Sequence, residues 1–385
     1  MTSDQVQAMT VDTLIEQFHL DIDGHKWSTE DIWNVVVAAS AQGQAIESAA
    51  DQLKDAPDPS TVRLYLRTEV NGTTLEALEQ AGNDAVVAHL PPGIRGKRHQ
   101  VAIDLTLIPY HGEAGRDPKE IRRAKAKSGT THFHCYATAY VIKKHKRVTL
   151  AFTYVQAKET LIQVLERLFA RLSALEVGLK RLYLDQQFYT VAVINYFKSR
   201  YPHLEVIVPV IIRGKQGGTR ALLKGRKSYR TIYTMRSRQD GEASFAVGVV
   251  CKYSQGRYGR HGVDWFVYVV LGPIRTELHH IYEAYRRRFG IESTYRLMNR
   301  VRARTSSRSA GLRLVYVGVA LSLANIWVYL KWAYVSVPRR GGRLVQAKRF
   351  PLTMFKQFLL EEIKAIYGAV RSISLPAAPC ATTNA

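Results

Sequence analysis

Two aspartates lie in runs that read as β-strands, at positions where a carboxylate can do chemistry. Asp104 is in the middle of "VAIDLTLIPYHG", an otherwise apolar run. A charge there is costly to bury unless it is paired or bound to a metal ion. Asp185 ends the short strand "RLYLD", and the carboxyl ends of strands in α/β sheets commonly present site residues. The alternative interpretations are a salt-bridged core aspartate for Asp104 and a helix cap for Asp185.

A third carboxylate, Glu292, is isolated among basic residues in "YRRRFGIESTYRLMNR". Eight arginines lie between Tyr285 and Arg308, and Glu292 is the only acid between Glu283 and Glu361. A segment that only had to be solvated would carry more acids for pairing at i,i+4. One carboxylate in this setting fits a metal ion that is bound next to a phosphate backbone, which the arginines would also contact.

The same segment presents a polar stripe if it forms one continuous helix. At about 100° per residue, five of its side chains fall within about 80° of one another. These are Tyr285, Arg288, Glu292, Arg296 and Asn299. A helix that only packs would carry apolar groups on such a stripe. Gly290 lowers the helix propensity, so a kink is expected near it.

Charge is distributed unevenly along the 385 residues. The net charge is +23, which makes a polyanion the leading class of partner. Residues 1–90 carry 15 acids and 4 bases, so the rest of the chain holds a net charge of about +34. Three cysteines without CxxC spacing argue against a disulfide scaffold and a cysteine-rich zinc site, and favour a reducing cytoplasmic location.

Residues 1–90 read as a helical domain. Ser28 or Thr29 is predicted to cap a helix over 29–42. After a proline-rich break, Ser60 is predicted to cap a helix that offers Arg63 and Arg67, which suggests a helix-turn-helix that reads DNA. An ordinary helix pair is the alternative, and the acidic charge of this region favours it.

The rest of the chain is predicted to alternate strands and helices in the order β-β-β-α-β-α-β-α. The predicted units are a catalytic domain in two parts, 95–212 and 273–335, an all-β insertion at 213–272, and a basic helical region with a tail at 336–385. The uncharged run "LVYVGVALSLANIWVYL" (314–330) is predicted to be a core helix. It is shorter than the roughly 20 residues of a typical membrane span, and it contains Ser322 and Asn325.

These residues together resemble the DDE-class transposases of insertion sequences, specifically those with the Y-x2-R-x3-E-x6-K signature. The match is Tyr285-x2-Arg288-x3-Glu292, with Asn299 in place of the lysine and Arg300 next to it. In the resemblance, Asp104 corresponds to the first catalytic aspartate. Asp185 corresponds to the second, although Gln186-Gln187 follows it where many relatives have a basic residue and a glycine. The resemblance covers about 95–335.

The resemblance implies an α/β fold with a ribonuclease H-like mixed sheet, in which the first and fourth predicted strands are neighbours. It implies that Asp104, Asp185 and Glu292 bind Mg²⁺, for which Mn²⁺ can substitute, and catalyse DNA cleavage and strand transfer. The partner would be double-stranded DNA, namely element ends and target, held by a homodimer without any membrane association.

The expected DNA contacts are Tyr285, Arg288, Asn299 and Arg300, with Trp265 stacking on a flipped base. For Trp265, core packing is the alternative. Two other functions remain open from the sequence. One is a non-catalytic DNA-binding protein descended from such an enzyme, and the other is a structure-specific nuclease on the same fold.

Overall fold

The computed structural model describes residues 1–22, 26–113, 119–143, 146–255, 261–274, 277–340 and 342–371. Its first part is helical, as the sequence predicts. The helices are α1 (Ser3–Phe18), α2 (Thr29–Gln42), α3 (Ile46–Ala50), α4 (Pro59–Asn71) and α5 (Leu75–Val87). The Ser28 hydroxyl accepts a hydrogen bond from the Asp31 N–H and caps α2 as expected. For α4 the cap is Asp58, with Pro59 in the first turn, so the predicted cap at Ser60 is wrong by two residues.

Strands and helices alternate in the middle of the chain. They are β1 (Arg98–Pro109), β2 (Arg122–Lys127), β3 (Thr130–Val141), β4 (Thr149–Val155), α6 (Leu161–Ala174), β5 (Gly178–Leu184), α7 (Val191–Arg200), β6 (Glu205–Pro209), β7 (Tyr229–Ser237), β8 (Gly241–Gln255) and β9 (His261–Leu271). The last part contains α8 (Leu278–Arg286), α9 (Gly290–Arg300), α10 (Ala310–Tyr334), β10 (Ser336–Arg339), β11 (Gly342–Val345) and α11 (Leu352–Tyr367).

The strand β2 is an addition to the predicted order. Its "RRAKAK" side chains are mostly exposed and show no apolar alternation, so sequence patterning gives no signal for it. It joins β3 through Ser128 and Gly129, which both have positive φ, as two-residue hairpin turns require. The result is a positively charged strand at the sheet edge, a common protection against unwanted strand pairing.

Nine of the described strands form one mixed sheet, in the order β2-β3-β1-β5-β6-β9-β8-β7, with β4 also paired to β3. β3 is antiparallel to β1 and to β4, whereas β5 is parallel to both β1 and β6. The strand that carries Asp104 and the strand that precedes Asp185 are therefore neighbours that run in the same direction.

The strands predicted for the insertion are present, and they extend this same sheet. β9 pairs antiparallel with β6, and β8 and β7 follow outward as a meander. The predicted boundaries of the insertion stay a prediction. Its strands continue the hydrogen bonding of the main sheet instead of forming a separate sheet.

The two faces of the sheet carry different helices. On β1, Val101 and Ile103 face a core that contains Leu168 of α6 and Ile194 of α7. Because successive strand residues point to opposite faces, Ala102 faces a second core, which includes residues of α8 and α9. Asp104 follows the same alternation as Ala102. It is therefore directed to the face that α8 and α9 cover.

The apolar helix α10 lies in a third core, which it shares with the N-terminal helices and α11. By length and composition α10 could cross a membrane, but 83% of its most apolar window is buried inside the protein, as expected for a core helix. Gly82 of α5 and Gly318 of α10 let the two helices approach closely. Helices from both sides of the predicted boundaries at residues 90 and 336 therefore contribute to one core.

Buried polar side chains of the helices complete the hydrogen bonding of strand β4. Asn83 binds both the N–H and the C=O of Phe152, and Asn325 binds both the N–H and the C=O of Thr149. Glu79 accepts from the Tyr154 N–H at 2.8 Å. The outer edge of β4 is thus paired with side chains instead of another strand. This accounts for Asn325 in the otherwise apolar α10.

We expect Asn325→Leu to lower the free energy of unfolding by about 2–4 kcal/mol, since it leaves two buried backbone groups of Thr149 without partners. Urea denaturation followed by circular dichroism measures this effect. Asn71→Leu, at an exposed position of α4, is the matched control and should change stability by less than about 0.5 kcal/mol. Equal effects of the two substitutions would contradict the role assigned to Asn325.

Candidate active site at the β1–β5 junction

Asp104 is held by its own backbone neighbours and by α9. The residue is 8% exposed, and its Oδ1 accepts a hydrogen bond from the Leu105 N–H at 2.9 Å. The Tyr295 hydroxyl lies 2.9 Å from the Asp104 carbonyl oxygen, to which it donates, and 2.7 Å from the Thr138 hydroxyl on β3. These contacts fix α9 over the point of β1 where the carboxylate emerges.

Asp185 lies beside Asp104 because their strands are in parallel register. Ile103 of β1 pairs with Leu184 of β5, and the residue that follows each of them is an aspartate. Asp185 stands at the start of a short 3-10 turn, but its side chain makes no capping hydrogen bond there. The alternative of a helix cap therefore does not explain this carboxylate.

Arg288 joins the two aspartates through one buried guanidinium. Its Nη1 is 3.3 Å from Asp104 Oδ2, and its Nη2 is 3.1 Å from Asp185 Oδ1. The salt-bridged state considered for Asp104 is therefore present in this structure, and it includes Asp185 as well. The space between the two carboxylates accommodates a cation.

The charges of Asp185, Glu292 and Arg288 all affect the protonation of Asp104. Burial raises the pKa of Asp104 to about 7, and the negative charges of Asp185 and Glu292 add to this effect, against the opposing charge of Arg288. Against the effect of burial, Tyr285, the two aspartates and Glu292 raise the pKa of the Arg288 guanidinium. The predicted trio thus lies in one electrostatic environment, around one arginine.

Glu292 itself is exposed at the first turn of α9, unlike the two aspartates. In the described part of the chain, ligand atoms that all lie within 4.8 Å of one another are found for Glu277, His279 and His280, and not for the predicted trio. Glu292 therefore acts on Asp104 and Arg288 through its charge, and the trio does not form a closed ligand set in this conformation.

The helix break at residues 287–289 changes the predicted polar stripe. α8 ends at Arg286, a 3-10 turn follows, and α9 begins at Gly290. A Cβ at Gly290 would lie 3.0 Å from Nη1 of Arg147, so the glycine lets this guanidinium pack against the start of α9. The expected kink is present. The prediction of one continuous stripe is wrong, because Tyr285 and Arg288 are buried whereas Arg296 and Asn299 are exposed.

Tyr285 and Arg288, which were expected to hold phosphates, have other contacts in this structure. The Tyr285 hydroxyl donates to the Leu184 carbonyl oxygen at 3.1 Å, and the guanidinium of Arg288 lies 5.0 Å from the centre of the Tyr285 ring. Tyr285 therefore holds α8 against the end of β5, and Arg288 offsets part of the negative charge of the two aspartates. Contact of either side chain with DNA stays a prediction.

The other three predicted DNA contacts lie away from the aspartates. Asn299 and Arg300 are exposed at the end of α9, and they line two different cavities, of about 740 and 580 Å³. Trp265 is half-buried on β9 and packs at the margin of the core between the sheet and α6 and α7. This position favours the packing interpretation of Trp265.

Sequence reasoning missed Tyr295 and Thr138, which support the backbone of Asp104. Tyr295 is three residues after Glu292, so its place on the same side of α9 is the one signal that could have found it. Thr138 gives no such signal, because only the pairing of β3 with β1 brings it opposite Asp104.

Neither a family model nor a curated protein matches this chain. Among solved structures, it is similar to a piggyBac transposase in a synaptic complex with hairpin DNA, determined by cryo-EM. The TM-score is 0.53 at 10% sequence identity, and the alignment covers 94% of this chain and 78% of that chain. At this level of identity, the similarity concerns the fold, a large mixed sheet with helices.

Proposed function

We propose that this chain is a DDE-type DNA transposase of an insertion sequence, which binds the terminal inverted repeats, cleaves the DNA and joins it to a target. The observation that carries the proposal is the convergence of Asp104 and Asp185 on one buried guanidinium, with the charge of Glu292 acting on the same site. Structural packing alone gives no reason to place two aspartates side by side in the middle of a sheet.

The strand arrangement supports a ribonuclease H-like core. Three antiparallel strands are followed by two parallel ones, in the order β4-β3-β1-β5-β6, and the aspartates lie on the first and fourth predicted strands. This is the arrangement that the family resemblance implies. The similarity in fold to a transposase bound to DNA agrees with it.

The residues of the site fit a divalent metal ion. Carboxylate oxygens are the donors that Mg²⁺ prefers, and a guanidinium already lies between Asp104 and Asp185. Asp104, Asp185 and Glu292 would hold Mg²⁺, with Mn²⁺ as a substitute. When bound, the ion would supply activation of the attacking oxygen and charge stabilisation for in-line phosphoryl transfer.

The protein's own side chains would keep this site ready for the substrate. Arg288 offsets part of the negative charge of the two aspartates before DNA arrives, and its positive charge is suited to the scissile phosphate. The Tyr285 hydroxyl binds the backbone of β5, and the Tyr295 hydroxyl binds the backbone of β1. These hydrogen bonds hold α8 and α9 against the sheet and so fix the position of the helix turn that carries Glu292. The basic surface after residue 90 would attract duplex DNA. A homodimer would pair the two ends of the element. It would act in the cytoplasm, in association with the nucleoid.

Cleavage and joining of labelled DNA that carries the ends of the surrounding element test this proposal. We expect cut and joined products with Mg²⁺ and none with EDTA. Tight DNA binding without cleavage in any metal would favour the non-catalytic DNA-binding alternative. Cleavage of branched DNA without joining of element ends would favour a structure-specific nuclease.

A further inference from the structure

Two cavities meet along the segment that links α9 to α10. Their volumes are about 780 and 740 Å³, and Arg304 and Arg308 line both of them. One cavity extends to Arg67 on α4, and the other extends to Asn299 at the end of α9. We name this continuous depression, lined by Arg67, Arg302, Arg304, Arg308 and Arg313, the arginine groove.

The segment that forms the groove is fixed to the protein. Val301 and Ala303 are buried in the helical core, whereas Arg302 is half-buried and Arg304 and Arg308 are exposed. The Arg304 N–H donates to the Gln44 carbonyl oxygen at 2.9 Å, and Arg313 Nε donates to the Ser307 carbonyl oxygen at 2.7 Å. The backbone of the segment and the guanidinium of Arg313 are therefore held in place before any ligand binds.

The positive charge of the groove is not balanced by nearby acids. In the described part of the chain, Arg302, Arg304, Arg308 and Arg313 form no ion pair, whereas Arg63, at the far end, is paired with Glu47 at 2.6 Å. Burial lowers the pKa of both Arg302 and Arg313, and for Arg302 the positive charges of Arg313 and Arg304 add to this effect. Such mutual repulsion is relieved by binding an anion.

We propose that the arginine groove holds the sugar-phosphate backbone of duplex DNA and leads it from α9 to the N-terminal helix α4. The inference rests on the proposed function and deepens it. Several cations along an elongated groove match a repeating anion, and hydroxyl groups such as those of Thr305 and Ser306 add neutral donors for phosphate oxygens. The acidic N-terminal region would then contribute Arg67 to DNA binding, by contact with phosphates and not by reading bases.

The test measures binding of a duplex DNA of element-end sequence by fluorescence anisotropy across salt concentrations. For Arg304→Gln/Arg308→Gln we expect an affinity about 10- to 100-fold weaker, and a plot of log K against log salt that is shallower by about 2. Arg236→Gln/Arg238→Gln, which removes two exposed arginines at the turn between β7 and β8, is the control with the same charge change and should keep the wild-type slope.

Several outcomes would overturn the inference. They are an unchanged slope for the groove variant, an equal loss for the control variant, and tighter wild-type binding to RNA of the same length than to duplex DNA. Both variants must keep the wild-type melting temperature, which is expected because the substituted side chains are exposed. Absence of cleavage by the wild type, with the groove effect intact, would count against the proposed function and not against the groove.

Discussion

Replacement of Glu292 by glutamine is expected to reduce DNA cleavage by about 100- to 1,000-fold while DNA binding and stability stay unchanged. A carboxylate ligand of a catalytic metal ion contributes several kcal/mol to the transition state, and each 1.36 kcal/mol corresponds to a factor of ten in rate. Glu292 is exposed and makes no hydrogen bond or ion pair with the described residues, so the substitution removes no structural contact. Single-turnover cleavage at saturating enzyme measures the effect.

Glu283→Gln is the control for this experiment, because Glu283 is the preceding acid in the sequence and pairs with Lys252 on the sheet. It should cleave DNA at close to the wild-type rate. If Glu292→Gln cleaved as fast as Glu283→Gln, Glu292 would have no part in catalysis, and the metal site would consist of the aspartates alone.

Arg288→Leu should lower the free energy of unfolding by about 3 kcal/mol at pH 8, because it leaves Asp104 and Asp185 together without their buried counter-charge. The deficit should be smaller at pH 5.5. A carboxyl whose pKa in the folded protein is raised, to about 7 for Asp104, binds a proton more readily folded than unfolded. Ionisation of Asp104 therefore lowers the free energy of unfolding as the pH rises from about 4 to 7. This loss is larger in the variant, which lacks the positive charge of Arg288.

Arg287→Leu is the matched control, since Arg287 is the exposed neighbour of Arg288. It should change stability by less than about 0.5 kcal/mol at both pH values. Thermal denaturation at pH 5.5 and pH 8 compares the variants. A deficit for Arg288→Leu that does not depend on pH would mean that the arginine acts through packing and not through its charge.

Local sequence patterns predicted most of the elements that position the site. β1, β3 and β4 carry β-branched and aromatic runs, and β5 ends at Leu184, directly before the aspartate that the pattern singled out. β2 was missed because a strand at an exposed edge needs no apolar alternation. The continuation of the sheet from β6 into β9 could not be predicted either, because a pattern along one strand does not identify its partner.

The sequence singled out the residues of the candidate site but not their contacts. Asp104, Asp185 and Glu292 were identified by type and position, and the structure brings the aspartates side by side. The direction of Arg288 depends on the 3-10 turn at 287–289, which an ideal helical projection ignores. One break of this kind turns an arginine that was expected to face DNA toward the two aspartates instead.

Asp185→Cys gives the most direct test of a metal site formed by these carboxylates. A thiolate binds Mg²⁺ poorly but accepts softer ions. If residue 185 is a metal ligand, the substitution should therefore change which metal ion supports cleavage. Asp185 is the less buried of the two aspartates, which leaves room for the change. The measurement is cleavage of element-end DNA by wild type and variant, in Mg²⁺ and in Mn²⁺. We predict that the variant is inactive in Mg²⁺ and regains cleavage in Mn²⁺, whereas equal activity of the variant and the wild type in Mg²⁺ would contradict the proposed site.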